Sequence, residues 1–391
     1  MLQKIRTKIK TLSRAKIVWS SIFLAALIIA LSLYGICNAI IGKMYDQQAA
    51  KRWGQDQQAY QITILFDKAA KVSDNDIKRF EYDYNKLLSS TFGDAGQEYI
   101  NMNNEDSSYY AHSYMTEGRL NLSQENKSVN NAKVYGVSGN YELFHPFEMI
   151  SGSFLKETEA HPDCVVIDEF TAYSLFGSTN VVGLPIYVQN TPLYVAGVYK
   201  SGTSEIVEAA NGWSTMANTV TKEDGSVDQT GKNSLIYMSY DTMCSLCGET
   251  KPITCFEFVS IAPSEKFLYD ELVKGFTSYM SSMEIVKNSS RFGIENMYRV
   301  LRQFGIRSMH VNNIDYPYFE NIARAREDLI SRLYLYIFVL LLLDLVLAVI
   351  FLHHLWVSRT IHISVIRDRF SDFLEKIREK KNEQKRKWEH F

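Results

Sequence analysis

Two long apolar stretches, one without charge and one with a single acid, frame this chain. No charged residue lies between Lys16 and Lys43, and between Arg332 and Arg359 the sole acid is Asp344. Each exceeds the roughly 20 residues that a helix needs to cross a bilayer. Between them the apolar positions change period. Tyr60, Ile62, Ile64 and Phe66 alternate with other residues, which is the period of a strand. Ser73 then precedes Ile77, Phe80, Tyr84, Leu87, Leu88 and Phe92 at three- and four-residue spacings, the stripe of a capped amphipathic helix. A weaker strand is expected near Tyr99. The Asn- and Ser-rich region 103–131 reads as loops plus a hairpin.

Residues 133–200 form the next block. The short β-branched run 164–167 suits a buried strand, Asp168 can cap a helix over 169–176, and Gly177 supplies its left-handed end. Strands at 186–188 and 193–198 flank Gln189, Asn190, Thr191 and Pro192, a hairpin loop by composition. Residues 201–233 are poor in large apolar side chains and read as a long exposed loop. A strand returns at 234–240 and another begins with Phe256, Phe258 and Ile261. A helix carrying Phe267, Leu268, Leu272, Val273, Phe276 and Met280 follows, then a helix over about 294–304 and a strand over about 306–311. Pro317 suits the first turn of a helix in which Phe319, Ile322, Leu329, Ile330 and Leu333 run into the second apolar stretch, a continuous stalk over 318–356.

The outer portions therefore read β-α-β and β-α-helix-β around an insert. The fold class expected is α+β: two spans and a two-lobed extracytoplasmic domain, a split ferredoxin-like α/β lobe interrupted by a β-rich lobe. The boundaries are a basic N-terminus at 1–16, a first span at 17–42, the first half of the α/β lobe at 43–132 and the inserted lobe at 133–243. The second half of the α/β lobe at 244–316, a stalk at 317–332, a second span at 333–356 and a tail at 357–391 complete the chain.

Composition is that of a folded protein: 391 residues, 46% hydrophobic and 22% charged. Charge settles orientation. Residues 1–16 hold Lys4, Arg6, Lys8, Lys10, Arg14 and Lys16 with no acid, and 357–391 hold ten basic and six acidic side chains. The two ends together carry +10, which leaves −12 for the remainder of a chain whose net charge is −2. Basic ends belong in the cytoplasm, so 43–332 is expected outside the plasma or inner membrane of a bacterial cell. An acidic exterior argues against nucleic acid as a partner. The first span is too long for a signal-peptide core, and Ile36 before Cys37 is not the small residue that lipoprotein processing wants, so an uncleaved anchor is expected.

Candidate chemistry is sparse. Asp344 sits twelve residues inside Arg332, and twelve inward from Lys43 lies Leu31 beside Ser32, which places Asp344 and Ser32 at similar depth in antiparallel spans. A mid-membrane acid costs about 2.5–3.5 kcal/mol on insertion scales and seeks a partner, from this chain or another. Cys244 and Cys247 form a CxxC with Cys255 nearby, so a disulfide from the pair to Cys255 is open to an extracytoplasmic chain. No second CxxC or His pair completes a metal site. GSVDQTGKN at 225–233 has one residue too many for a P-loop and lacks Ser or Thr after Lys232. The eight histidines do not cluster with acids at ligand spacing. No catalytic constellation emerges, and neither an enzyme activity nor a cofactor is expected.

One series of residues carries a family resemblance. Gly136, Val137, Asn140, Tyr141, Gly152, Phe154, Val165, Val166, Ile167, Leu175, Phe176, Gly177, Val182, Gly183, Ile186, Val195, Gly197 and Val198 form an ordered series over about 133–200. It resembles the periplasmic core domain of MacB-like, FtsX-like ABC transporter permeases. The resemblance implies a two-lobed ectodomain and a separate cytoplasmic ABC ATPase whose ATP-driven movement is relayed outward, for efflux or signalling. It also implies that the segment after the second span is a coupling helix. Here that segment places Ile366, Phe370, Phe373, Leu374 and Ile377 on one helical face with basic residues opposite, a pattern that also suits a helix lying on lipid. Family members continue into two further spans, whereas the sequence after 377 is polar. A second permease chain or a homodimer is expected to supply the missing helices; the alternative is an orphan membrane-anchored binding or sensor module.

Overall fold

The computed structural model describes residues 2–54, 58–103, 109–155, 163–200, 219–221, 227–229, 234–304 and 313–388. They fall into two units, Met1–Ala39 with Arg332–Phe391, and Ile40–Ser331. The chain runs α1 (Leu2–Gly42), α2 (Ala49–Gly54), β1 (Ala59–Phe66), α3 (Asp74–Asn103), β2 (Tyr110–Gln124) and β3 (Lys127–Gly139). Next come α4 (Tyr141–Phe144), β4 (Met149–Gly152), β5 (Cys164–Asp168), α5 (Glu169–Phe176), β6 (Pro185–Val188), β7 (Thr191–Tyr199), β8 (Thr219–Thr221) and β9 (Val227–Gln229). The series ends with β10 (Leu235–Ser239), α6 (Tyr240–Cys247), β11 (Cys255–Ile261), α7 (Glu265–Gly275), β12 (Met283–Lys287), α8 (Ile294–Arg302) and α9 (Tyr318–Trp388).

Four antiparallel strands in the order β12-β1-β11-β2 form the first lobe of the second unit, with α3 and α7 on one face. The lobe reads β-α-β plus β-α-β, split by the insert, rather than the β-α-helix-β expected for its second half. The strand that closes its second half is β12, over the short MEIVK sequence; the strand expected at 306–311 lies outside the described residues. Ser73 starts α3 as its spacing implied: its backbone N–H and hydroxyl both donate to the Asp76 carboxylate, at 3.0 and 2.7 Å. Ile77, Phe80, Tyr84 and Leu88 then bury against Phe256, Phe258 and Phe276. Burial of each large apolar side chain contributes about 1.5–3 kcal/mol, so Phe80→Ala would open the middle of this layer. The strand expected near Tyr99 is absent, because Tyr99 lies within α3.

The Asn-rich region holds more order than its composition suggested. β2 and β3 form a long hairpin, paired from Ser113 with Gly139 to Gln124 with Lys127. Leu120, Leu122, Val129, Ala132 and Val134 bury on one face, and the intervening polar residues dilute the apolar signal in the sequence. This hairpin joins the lobes. β2 pairs with β11 on one side and β3 on the other, and β3 continues into β10, β5, β7 and β6, so one twelve-stranded sheet runs through both. Val165, Ile167, Ile236 and Met238 pack on one face of the inserted strands. Val166, Tyr237 and Tyr135 point to the other, where Tyr141, Phe154, Ile314 and Phe319 cover them. Of 201–233, β8 and β9 are paired strands at the β3 edge, and the residues around them lie outside the described part.

Several residues within the stretch that carries the resemblance have local physical roles. Asp168 Oδ1 accepts the Thr171 N–H at 2.6 Å, and Gly177 ends α5 at φ 77°. Gln189 and Asn190, at φ 48° and 73°, make a two-residue turn of the kind that suits strand twist, so Thr191 and Pro192 belong to β7 rather than to the loop. Gly152 pairs with Gly197 where β4 meets β7. A Cβ on Gly152 would stand 2.1 Å from the Ala196 carbonyl oxygen, and one on Gly197 2.5 Å from that of Ser153, so both glycines serve close backbone approach.

In the first unit, α1 and the later part of α9 are long and apolar enough to cross a membrane. Ala26, Ala30 and Cys37 of α1, and Ile337, Asp344 and Leu347 of α9, are buried at helical spacing. Leu31, Phe338 and Leu345 are exposed, as lipid- or partner-facing side chains are.

Candidate functional site

A belt of buried charge lies inside the second unit. It begins on β11, where Glu257 shares a face with Cys255 and Val259 and is 2% exposed. Glu257 Oε2 is 2.5 Å from Nε2 of His145, just after α4, and the other ring nitrogen of His145 is 2.8 Å from Asp46 Oδ1. Phe319 and Tyr141 cover the imidazole, with ring centroids at 4.1 and 4.6 Å. Burial works against the imidazolium, yet Glu257 and Asp46 outweigh it and raise His145 from 6.5 to about 9. At neutral pH it is a cation between two carboxylates.

The belt continues through β1. The Thr63 hydroxyl donates to Asn288 Oδ1 at 3.0 Å, and the Asn288 amide donates to Gln47 Oε1 at 2.8 Å. Gln47 also accepts from Arg291 at 3.0 Å. The Arg291 guanidinium, 2% exposed, grips Glu320 through two bonds of 2.7 Å and Glu327 through a third of 2.7 Å. Arg324 donates to Glu320 at 2.8 Å and to Glu284 of β12 at 2.5 Å, and it stacks 3.9 Å over the Tyr316 ring. Burial opposes ionisation of Glu320, but Arg291 and Arg324 overcome it and hold its carboxyl below the usual range. Burial likewise opposes the charge on Arg291, and Glu320 with Glu327 override it.

The arrangement ties distant parts of the sequence to one point. Asp46 and Gln47 lie within five residues of Gly42, the last residue of α1, and Glu320, Arg324 and Glu327 lie on α9. Glu257, Thr63 and Glu284 belong to three strands of the first lobe, and His145 to the inserted lobe. Secondary bonds thicken the joint. Gln61 accepts the Ala49 N–H at 2.8 Å and donates to the Asp46 carbonyl at 2.9 Å, and Arg52 donates to the Leu143 carbonyl at 2.6 Å. Such a cluster has no nucleophile–base geometry, and among the described residues no group of three or more His, Cys, Asp or Glu could hold a metal ion. Its chemistry is that of a rigid joint. Once desolvated, each charge is compensated only in this geometry, because removing one partner leaves another charge buried.

The residues singled out in the sequence do not join this belt. Asp344 is buried, and neither carboxylate oxygen has a hydrogen-bond partner. Ser32 is exposed and returns its hydroxyl to the Ile28 carbonyl at 2.8 Å on its own helix, so it is not the partner of Asp344. Cys244, Cys247 and Cys255 are free thiols. The disulfide considered for them is not formed: Cys255 is buried on one face of the sheet, whereas Cys244 packs against the cluster on the other. Ile366, Phe370, Phe373, Leu374 and Ile377 lie on α9, but their side chains are outside the described part.

Sequence reading missed the belt itself. Two signals for it were present. Glu320, Arg324, Glu327 and Ser331 recur at helical spacing on one face of α9, and all four are buried. Glu257 interrupts an apolar strand on the side of Cys255 and Val259. The pairing of Asp46 with His145, 99 residues apart, had no local signal.

Residues 53–244 match the family described as the MacB-like periplasmic core domain. Among solved structures, the chain is similar to the periplasmic region of MacB from Actinobacillus actinomycetemcomitans, with 16% identity, a TM-score of 0.38, and coverage of 61% of this chain and 93% of that one. It is also similar to the extracellular domain of the noncanonic ABC-type transporter YknZ from Gram-positive bacteria, with 11% identity, a TM-score of 0.35, and coverage of 58% and 100%. No curated protein sequence matches it.

Proposed function

We propose that this chain, whose residues 53–244 form a MacB-like periplasmic core domain, is the non-catalytic membrane subunit of an ABC system that relays ATPase-driven movement to its extracytoplasmic domain. The observation that carries this reading is the buried belt. The residues that follow α1 and those that begin α9 are both fastened by compensated charge to β1, β11 and β12. Breaking one such buried pair costs about 3–5 kcal/mol, several times thermal energy, so a shift of the chain at either point is passed to the sheet. A Gly- or Ser-rich linker would absorb the same displacement. α9 is a single helix over Tyr318–Trp388, which gives the displacement a stiff carrier.

In this reading both termini are cytoplasmic and the tail of α9 docks on a separate ABC ATPase through Ile366, Phe370, Phe373, Leu374 and Ile377. A homodimer or a second permease chain packs on the exposed faces of α1 and α9. The test is Phe370→Leu with Phe373→Leu, which keeps apolarity and changes shape. Docking in a shaped groove predicts that ATPase co-purification falls by more than about tenfold, since truncated anchors commonly cost 2 kcal/mol or more, while membrane residence is unchanged. A helix lying on lipid tolerates both exchanges. Full partner binding by the double variant, or no ATPase recovered with the wild type, would leave a tethered sensor as the better reading.

A further inference from the structure

α8 presents its large apolar side chains outward. Ile294 is 78% exposed and Tyr298 67%, while Met297 and Val300, on the neighbouring stripe of the helix, are 2% and 4% exposed. The helix is therefore packed, and the outer stripe is a second apolar face. Arg299 and Arg302 are exposed beside it, with Glu295 as the one acid of the helix. The loop leading into α8 is fixed by Arg291, whose guanidinium bonds Gln47 at 3.0 Å and Glu327 at 2.7 Å, and whose carbonyl accepts from the Asn296 amide. Gln47 is five residues beyond the end of α1, and Glu327 five residues before Arg332 on α9. The start of α8 is therefore bonded to residues only five positions in sequence from each apolar stretch. Tyr45, in the turn after α1, is also 59% exposed.

Exposed aromatic and aliphatic side chains interleaved with arginines, bonded this near in sequence to two apolar stretches, match the chemistry of the membrane interface. Tyrosine suits the headgroup level with its apolar body and polar tip, isoleucine reaches the acyl boundary, and guanidinium groups pair with lipid phosphates. We propose that α8 is an interfacial anchor, its Ile294 and Tyr298 face set into the outer headgroup layer of the bilayer and held there by Arg299 and Arg302. The inference goes beyond the relay reading and needs only that α1 and α9 cross a membrane. A protein partner fits less well, because the net positive charge of the face complements anionic lipid directly.

The test uses the full chain in lipid nanodiscs, with p-benzoylphenylalanine placed at position 298, at 294 or, as a reference, at Tyr82, a 70% exposed side chain on α3. Irradiation followed by mass spectrometry reads the adduct. The anchor predicts phospholipid adducts at 294 and 298 and none at 82. It also predicts that Arg299→Gln with Arg302→Gln lowers the ratio of lipid-docked to free helix by about fivefold per arginine in phosphatidylglycerol-containing discs, the weight of one basic residue at an anionic surface. In purely zwitterionic discs the same exchange has little effect. Adducts to protein at 294 and 298 would overturn the proposal in favour of a docking face between chains. Absence of any lipid adduct at both positions would overturn it outright. The probed side chains are exposed, so folding is not at stake, and near-UV circular dichroism of the buried tyrosines checks it.

Discussion

Arg291→Met is the sharpest perturbation of the buried belt. It removes three charged bonds of 2.7 Å, two to Glu320 and one to Glu327, and a fourth bond of 3.0 Å to Gln47. Methionine approximates the length of the arginine stem, so packing changes little while charge is lost. Glu320 and Glu327 remain buried, at 1% and 4% exposure, against less compensating charge. Removal of one partner from a buried ionic cluster costs about 3–5 kcal/mol. For a unit of this size that is about 10 °C in melting temperature, at about 2–4 °C per kcal/mol. The assay is near-UV circular dichroism of the full chain in detergent, which reports the tyrosine packing around Tyr135, Tyr141 and Tyr237. A second arm separates charge from packing. With Glu320→Gln and Glu327→Gln added, the uncompensated carboxylates disappear, and a substantial part of the loss should return. An Arg291→Met protein that melts within about 1 °C of wild type would refute the rigid joint, since the resulting loss would lie below what one buried pair is worth. A triple variant no more stable than the single one would show that stem packing, not charge, carried the cost.

Two pH effects follow from groups elsewhere in the second unit. His145 is raised from 6.5 to about 9, so its contribution is complete below the lower value and is lost as pH rises through the higher, roughly 3 kcal/mol between neutrality and pH 10. Melting of wild type should fall over that window, and His145→Gln should flatten the difference; parallel curves would refute the imidazolium. Asp168 is fully buried, and burial raises it from 3.8 to about 6 despite N–H donation from Thr171 and Leu235. Its protonation is therefore favoured in the folded state, and its contribution to stability should increase as pH falls from 7 through 6 and level off below 3.8. Asp168→Asn should remove that rise and cost about 1–3 kcal/mol at neutral pH, because its amide cannot accept both backbone N–H groups; an unchanged melting profile would count against the paired N–H bonds to the buried Asp168 carboxylate.

Local physics made part of this protein readable in order of sequence. A helix crosses a bilayer on composition alone, so the apolar segments of α1 and α9 needed no tertiary information. The caps of α3 and α5 and the strand period of β1 depend on residues within a few positions of one another, and each stood where its spacing placed it. The hairpin expected within 103–131 was legible, but the full length of β2 and β3 was obscured because only their buried face is apolar, and β12 was obscured because five residues carry too little period. What the tertiary structure alone decided is the partner of each buried charge. Asp46, His145 and Glu257 are separated by up to 211 positions, and nothing local distinguishes them from solvated side chains. Their burial becomes favourable only when the sheet, α4 and the head of α9 close around them together, because a desolvated charge is tolerated only beside its counterpart. Asp344 shows the same limit from the other side: its depth followed from counting residues, but its burial, with the Ser32 hydroxyl turned back to its own helix, depended on how the helices of its unit rotate about their axes.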